Sequence, residues 1–396
     1  MRKLVKEGRL ELVSAGWSMH DEGSTHYDDL MNNMLIGHQW IDREFGEYAK
    51  PRCGWHIDTF GHSNANARLF AEMGLEAWFF ARLDYEDKDK RMLDKEMQWI
   101  QKGFSESLGD AVSIFTHAMT HHYNTPEAFR YDERNFGTEP VVTDPNLDSF
   151  NADSKMSKLR FYLLKDSLSF KTPRLLIPWG DDFWFSNAHL TYHNLENTIN
   201  YFNEKYDDIT LLYSTPSEFV DALKEYTDVE WPVRYDDMLP FADQNADYWT
   251  GYFTSRSNAK KLTRQTSQNF HASNKVFGLK VLDETVEDAE VEAYMDSQYR
   301  MLDALGIMQH HDAITGTAKQ AVADYYNYLM ETAMDYSNYY YSHIVGKIAT
   351  GLGVSSDLER DWTNCSISQI ESADCGITDS KGQTWGLVVQ NPAMVD

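Results

Sequence analysis

Residues 54–63 read Gly54-Trp55-His56-Ile57-Asp58-Thr59-Phe60-Gly61-His62-Ser63. An apolar run carries the chain to a carboxylate, Asp58, and a turn containing Gly61 then swings a second polar side chain, His62, into the same neighbourhood. A β-strand end delivers reactive groups to a pocket in this way. In parallel β/α architectures, side chains at the C-terminal ends of several strands converge above a packed barrel or sheet. Asp58 is accordingly the first candidate catalytic residue. A strand-end aspartate before a turn also serves as a helix N-cap or turn residue, so the assignment depends on what surrounds it.

Outward from this stretch the pattern alternates between strands and helices. Leu10-Glu11-Leu12-Val13 reads as a strand before the polar turn Met19–Gly23, and Thr25 opens a helical pattern through Leu30, Met34, Leu35 and Trp40. Asn64 to Met73 is helical, with Gly74 placed to end it. Trp78-Phe79-Phe80 is the next strand, carrying Arg82, Asp84 and Tyr85 at its end. A helix near Arg91–Gln101 and a strand at Ala111–Thr116 follow, then a polar loop with His117, His121, His122 and Tyr123. Arg174–Pro178 reads as a strand delivering Asp181 and Asp182, and Ile209–Tyr213 as the last strand. The helix after it carries a start signal: Thr215 as N-cap, Pro216 at the first helical position and Glu218 three after the cap. Residues 1–225 thus read as an α/β domain with a mainly parallel sheet.

Beyond residue 225 the period changes. Apolar residues recur at three- and four-residue intervals, interrupted around Leu279–Thr285 and Gly306–Thr317, which predicts three helices within residues 226–345. Residues 346–396, rich in Gly, Ser, Asp and Thr and ending in the strand-like Trp385–Val389, read as the start of a β-rich domain.

The chain of 396 residues is 42% hydrophobic and 14% aromatic, ample for sizeable cores. Its formal charge of -26 repels phosphate backbones and anionic lipid, so nucleic acid and membrane surfaces are poor partners. A neutral, hydroxyl-rich substrate is compatible with that surface. No apolar run is long enough to span a bilayer, and Met1–Lys6 lacks the apolar core of a signal peptide. Of three cysteines, Cys53 precedes the quoted stretch, while Cys365 and Cys375 are near neighbours. Asn364-Cys365-Ser366 is a glycosylation acceptor of the permitted type.

The quoted stretch continues through Leu69-Phe70-Ala71-Glu72-Met73-Gly74 to Trp78–Tyr85, and far downstream stands Met308-Gln309-His310-His311-Asp312-Ala313-Ile314-Thr315-Gly316-Thr317. With Val5-Lys6-Glu7-Gly8-Arg9-Leu10, Gly180-Asp181-Asp182-Phe183, Tyr213-Ser214-Thr215-Pro216 and Tyr248–Arg256, these closely resemble the family 38 glycoside hydrolases, the class II α-mannosidases, in the lysosomal type above all. The resemblance covers nearly the whole chain, with separate motifs in one order. It implies a β/α catalytic domain, a middle three-helix domain and the opening of a C-terminal β-sandwich. It further implies hydrolysis of terminal α-D-mannose from N-linked-type oligosaccharides by a retaining, zinc-dependent mechanism. The Cys365–Cys375 pair then resembles a local disulfide of the lysosomal enzymes, and with the sequon it favours a lysosomal or other endomembrane lumen, or secretion.

Glycosidic cleavage needs one carboxyl group at the anomeric carbon and another to protonate the leaving oxygen. By resemblance, Asp58 is the nucleophile and Asp182 the general acid/base, with Asp181 as a like-charged neighbour that helps keep one of the pair protonated. The doublet by itself also reads as a solvated turn. Zinc, by resemblance, is held by Asp58 and by His311, the second histidine of His310-His311-Asp312, with Asp312 contacting the sugar. His-His alone reads as easily as an exposed helix start. The pattern's other two ligands, a His-x-Asp pair, belong upstream of Met1. His26-Tyr27-Asp28 and His56-Ile57-Asp58 share that spacing but match other parts of the pattern. The chain as written is therefore expected to be a central fragment, with an unpaired sheet edge and no zinc-dependent turnover of its own. Around the sugar, Arg82, Tyr123 and Trp249 match substrate-contacting residues, while His62 joins them as a group orienting Asp58. The competing readings are an inactive or lectin-like carbohydrate-binding remnant, a Golgi-type enzyme, and a metal-free glycosidase of another family.

Overall fold

The computed structural model describes residues 1–100, 112–131, 138–282 and 286–351, with the backbone alone for 349–351. They divide into two compact units. The first comprises Met1–Ala15, Asp21–Gly23 and His38–Gly251, and the second Gly16–His20, Ser24–Gly37 and the described residues from Tyr252 on.

The first unit holds a sheet of β1 (Cys53–His56), β2 (Ala77–Phe80), β3 (Glu96–Ile100), β4 (Ser113–Ala118) and β5 (Val233–Arg234), in the order β1-β2-β4-β3-β5. All pairings are parallel except β3 with β4. Every residue of β2 is buried. That is expected of a strand covered on both faces, and it explains the unbroken apolar run Ala77-Trp78-Phe79-Phe80. One face meets Phe70 and Trp99, with Trp78 stacked on Trp99 at 5.2 Å. On the other face Phe79 packs against Phe219 among Cys53, Val220 and Leu223.

Helices α1 (Arg2–Lys6), α2 (Tyr27–Phe45), α3 (Asn64–Glu72), α4 (Tyr85–Lys90), α5 (Ala152–Ser167), α6 (Ala188–Lys205) and α7 (Pro216–Leu223) follow in chain order. Local chemistry sets several of their ends. The Ser63 hydroxyl accepts from the Ala65 amide to cap α3, and Gly74, at φ +85°, ends it without the Cβ penalty of the left-handed region. The predicted capping box of Thr215 and Glu218 is formed on α7.

Four expected elements differ. The residues predicted as a helix near Arg91–Gln101 instead form β3 up to Ile100, because Met97 and Trp99, two apart, are the fully buried pair. Leu93, Met97 and Ile100, four and three apart, fit the helical period, whereas Met97 and Trp99 fit the strand period, and so short a run does not separate the two. Leu10–Val13, Arg174–Pro178 and Ile209–Tyr213 belong to none of the described strands. They are anchored by side chains: Leu175, Ile177, Ile209 and Leu211 pack on the cluster of Met156, Leu159 and Phe202, and Leu12 on Ile41 and Phe45. β1 is an edge strand, and Ser14 covers its outer side. The Ser14 amide donates to the Cys53 carbonyl (2.7 Å), and its hydroxyl accepts from the Trp55 amide (2.6 Å).

In the second unit, α8 (Ser257–Val281), α9 (Asp288–Met308) and α10 (Gln320–Gly351) pack pairwise around Phe270, Met301, Leu305, Met308, Ile314 and Met330. α8 ends at Val281 and α9 at Met308, inside the two stretches where the periodicity fails. Gly306 admits the Trp17 ring, which a Cβ there would meet at 2.9 Å, and the indole N–H donates to Asp303 (2.7 Å). The β-rich opening, Trp385–Val389, Cys365, Cys375 and the Asn364 sequon lie outside the described residues. Among the described residues no helix is long and apolar enough to cross a membrane.

Gly54 tests how tightly α3 sits on β1. A Cβ there would lie 2.8 Å from Phe70 and 3.1 Å from Trp78, both rigid rings, whereas one at Gly251 meets nothing within 4 Å. Gly54→Ala is expected to cost about 1–3 kcal/mol by overpacking, and Gly251→Ala to leave stability unchanged or slightly raised. Equal denaturation midpoints for the two variants would count against this packing.

Candidate active site

The register of the sheet builds the site. His56 of β1 pairs with Phe80 of β2, so the two strands end level. Asp58 and Arg82 each stand two residues beyond that pair. The Arg82 Nε lies 2.6 Å and its Nη2 2.5 Å from Asp58 Oδ1, an ion pair whose side chains are 13% and 20% exposed. Three rings enclose the guanidinium: Trp249 at 4.7 Å from its carbon, Phe60 at 5.7 Å and Phe241 at 5.8 Å. Arginine tolerates such a setting because its planar, weakly hydrated cation stacks on aromatic faces.

β4 runs parallel to β2 and ends at the same level, with Phe80 opposite Ala118. The loop after it places Tyr123, whose hydroxyl donates to Asp182 Oδ1 at 3.4 Å. Asp182 stands in a turn just after a segment tied to the β4 loop, since the Gly180 carbonyl accepts from both the Thr125 amide (2.9 Å) and its hydroxyl (3.1 Å). Burial, and then the carboxylates of Asp58 and Asp182, push the Tyr123 phenol well above its ordinary range, so it stays a proton donor. Asp182 is exposed, and its amide donates to the Asp181 carboxylate (2.7 Å), which makes Asp181 the side chain that shapes the turn. Asp58, Arg82, Tyr123, Asp182 and Trp249 are thus gathered at the C-terminal edge of the parallel strands.

His62 corrects an expectation. Its side chain is fully buried against Phe80 and Trp78, and its Nδ1 pairs with Glu22 (3.0 Å) rather than Asp58. Burial pulls its pKa down to about 3. The partner, Glu22, was not legible in the sequence, where it reads as one more acid of the polar turn Met19–Gly23. Its Oε1 also meets His56 Nδ1 (2.8 Å), and its Oε2 accepts the Ser63 amide (2.7 Å). Burial pushes Glu22 up to about 7, against the opposing pull of His56 and Ser63. His122 went unassigned too. Its Nδ1 accepts the Tyr123 amide (2.9 Å), and burial followed by the Arg82 charge lowers its pKa to about 4.

His311 and Asp312 belong to the second unit. There the Met19 carbonyl accepts from the His311 amide (3.1 Å) and pairs with His311 Nδ1 (2.8 Å), and Asp312 Oδ1 accepts the Thr317 hydroxyl (2.8 Å). His310, His311 and Asp312 can bring ligand atoms within 4.8 Å of one another. A carbonyl on one imidazole nitrogen fixes the ring and tautomer so that the other nitrogen can ligate, which is the usual setting of a zinc-bound histidine. The donor chemistry of His311 and of the Asp58 carboxylate fits zinc.

The two buried titrating groups make opposed predictions for stability. His62 has a depressed folded pKa, so its contribution is present above pH 6.5 and lost as pH falls toward about 3. Glu22 has a raised one, so its contribution is greatest below pH 4.5 and lost as pH rises through about 7. His62→Asn removes only the first titration. Its thermal midpoint should lie below that of the parent at pH 7, and the gap should narrow toward pH 4; a gap constant across that range would contradict the neutral, buried His62.

Comparison with known proteins bears on the identity of this site. The chain is 33% identical over 395 residues to the lysosomal alpha-mannosidase of Dictyostelium discoideum, covering 99% of this chain and 38% of that protein. It is 34% identical over 330 residues to the lysosomal alpha-mannosidase of Homo sapiens (82% of this chain, 32% of that protein) and 35% over 325 residues to the alpha-mannosidase of Canavalia ensiformis (82% and 32%). It therefore spans well under half the length of these relatives. The crystal structure of an alpha-mannosidase from Enterococcus faecalis V583 superposes with a TM-score of 0.65 over 88% of this chain and 35% of that one. At 16% identity that likeness speaks to fold alone. Residues 247–348 match the alpha mannosidase middle domain, and residues 1–244, carrying the whole Asp58–Arg82–Tyr123–Asp182 constellation, match the glycosyl hydrolases family 38 N-terminal domain, so the chain belongs to glycosyl hydrolase family 38.

Proposed function

We propose that this chain carries the catalytic machinery of a retaining α-mannosidase that removes terminal α-D-mannose from N-linked-type oligosaccharides. The observation that carries the reading is the pairing of two carboxyl groups with fixed partners on one sheet edge: Asp58 gripped by Arg82, and Asp182 met by the Tyr123 hydroxyl.

In this mechanism Asp58 attacks the anomeric carbon and forms a covalent mannosyl ester, while Asp182 gives its proton to the departing oxygen. Asp182, now a carboxylate, next takes a proton from water, which displaces Asp58 and leaves mannose with its original anomeric configuration. Arg82 holds Asp58 Oδ1 in one orientation, so attack needs no rotamer search. Tyr123 steadies Asp182 from the other side. Trp249 offers an apolar ring to the C–H face of the sugar. The Asp58 carboxylate and, in the second unit, the His311 imidazole each offer a donor suited to zinc, which when bound would supply a Lewis-acidic grip on vicinal sugar hydroxyls. The compartment that goes with this reading is a lysosomal or other endomembrane lumen, in keeping with the lysosomal relatives.

In the full-length natural protein, Asp58→Asn should lower kcat by on the order of 10⁴-fold or more and also weaken zinc retention during dialysis. Asp182→Asn should separate substrates. With an alkyl leaving group, kcat should fall on the order of 10²–10⁴-fold, the span of a lost general acid; with a dinitrophenyl leaving group, which needs no proton, it should fall far less. Equal losses on both mannosides would remove Asp182 from the acid role. Full activity after exhaustive chelation would remove zinc.

A further inference from the structure

We propose that Glu22 is a positioning residue for the nucleophile: its carboxylate staples the two ends of the turn that carries Asp58. This rests on the reading of Asp58 as the reacting carboxylate.

The turn leaves β1 after His56 and enters α3 after its cap, Ser63. Glu22 binds both ends. Oε1 meets His56 Nδ1 at 2.8 Å, where the strand stops, and His62 Nδ1 at 3.0 Å, where the helix approach begins; Oε2 takes the Ser63 amide at 2.7 Å. Asp58 lies between the anchored points. The three side chains of the staple are at most 1% exposed. A carboxylate has only acceptors to offer, so each imidazole meets it by turning an Nδ1–H toward it. A low folded pKa for His62 agrees with a neutral ring there.

Neither ring can turn away. His56 lies edge-on to Phe70 (5.1 Å) and Trp78 (5.9 Å), and His62 packs against Phe80 (4.3 Å) and Trp78 (5.3 Å). The staple is therefore fastened to β2, the strand that carries Arg82 two residues past its end. One aromatic wall fixes the turn bearing Asp58 and the strand bearing its ion-pair partner. If space-filling were the only need, an apolar side chain would avoid the desolvation that pushes Glu22 toward neutrality. What an apolar group cannot supply is three directional bonds across the reactive turn. A shift of about 1 Å in a reacting group costs on the order of 10² in rate.

The test compares Glu22→Gln with the parent in the full-length protein, using an aryl α-mannoside and downfield proton spectra of ¹⁵N-histidine-labelled samples. The amide turns a donor either toward the Ser63 amide, which opens that arm, or toward the imidazole pair, which can keep the contact only by giving up an Nδ1–H. The expected result is a kcat lower by about 10- to 100-fold with KM within about threefold, and loss of hydrogen-bonded Nδ1–H resonances present in the parent. A variant with parental kcat, or one whose loss falls in KM alone, would overturn the proposal. If Glu22→Gln does not fold, His62→Asn opens only one arm, and a kcat lowered at constant KM supports the staple whereas an unchanged kcat overturns it. A parent protein inactive on every α-mannoside would overturn the functional reading itself, an outcome distinct from an active parent with an indifferent Glu22.

Discussion

Because β1 and β2 run parallel with His56 opposite Phe80, their chains leave the sheet at one level, and the Asp58–Arg82 ion pair depends on that register. A slip of one residue would turn every β2 side chain to the opposite face. Trp78 would then leave the Trp99 stack, and Arg82 would leave both Asp58 and its aromatic enclosure. The register is specified in turn by apolar chemistry on both faces: Trp78 and Phe80 toward Trp99 and Phe70, Ala77 and Phe79 toward Phe219 and Cys53. Apolar packing thus fixes the separation of two charges to within hydrogen-bond length.

The antiparallel β3–β4 junction carries a second buried acid–imidazole pair. Glu96 stands opposite His117 in the ladder, with Oε1 3.0 Å from Nδ1, and the His117 ring lies parallel to Phe170 at 5.2 Å. This pair spans adjacent strands and pins a ladder. Glu22 spans a turn and pins a loop. The two use the same chemistry, a carboxylate accepting from a ring boxed in by aromatics, at points where backbone hydrogen bonding alone does not set the geometry.

The sequence made the helix–strand–helix–strand succession from Tyr27 to Phe80, the helix ends at Val281 and Met308, and the α7 capping box legible, because each leaves a local mark in period or punctuation. Asp58, Arg82 and Asp182 follow apolar runs, whereas Tyr123, in a polar loop, was marked by the family resemblance alone. Ladder pairing was not legible. Arg174–Pro178 and Ile209–Tyr213 carry strand-like residues, yet side-chain packing holds them while β5 takes the place beside β3. Glu22 was hidden for another reason. A buried acid looks like a surface acid in sequence, and only the convergence of His56, His62 and Ser63, some forty residues away, distinguishes it. His62 meets Glu22 and not Asp58 directly, since spacing gives proximity and not direction.

Trp249 shows how the same packing limits what the site can do with a sugar. Its ring lies over the Arg82 guanidinium at 4.7 Å and contacts Phe60 and Phe241 at 5.1 and 5.3 Å between centroids. A ring face covered by a guanidinium cannot also cover the C–H face of a pyranose. Trp249 is partly buried, and in the proposed mechanism only ring surface that Arg82 leaves uncovered would be open to a sugar. The arginine therefore couples two functions. It holds Asp58 through Oδ1 and lies against the Trp249 ring, so that in the proposed mechanism the direction of attack and the plane of the sugar would both refer to one guanidinium.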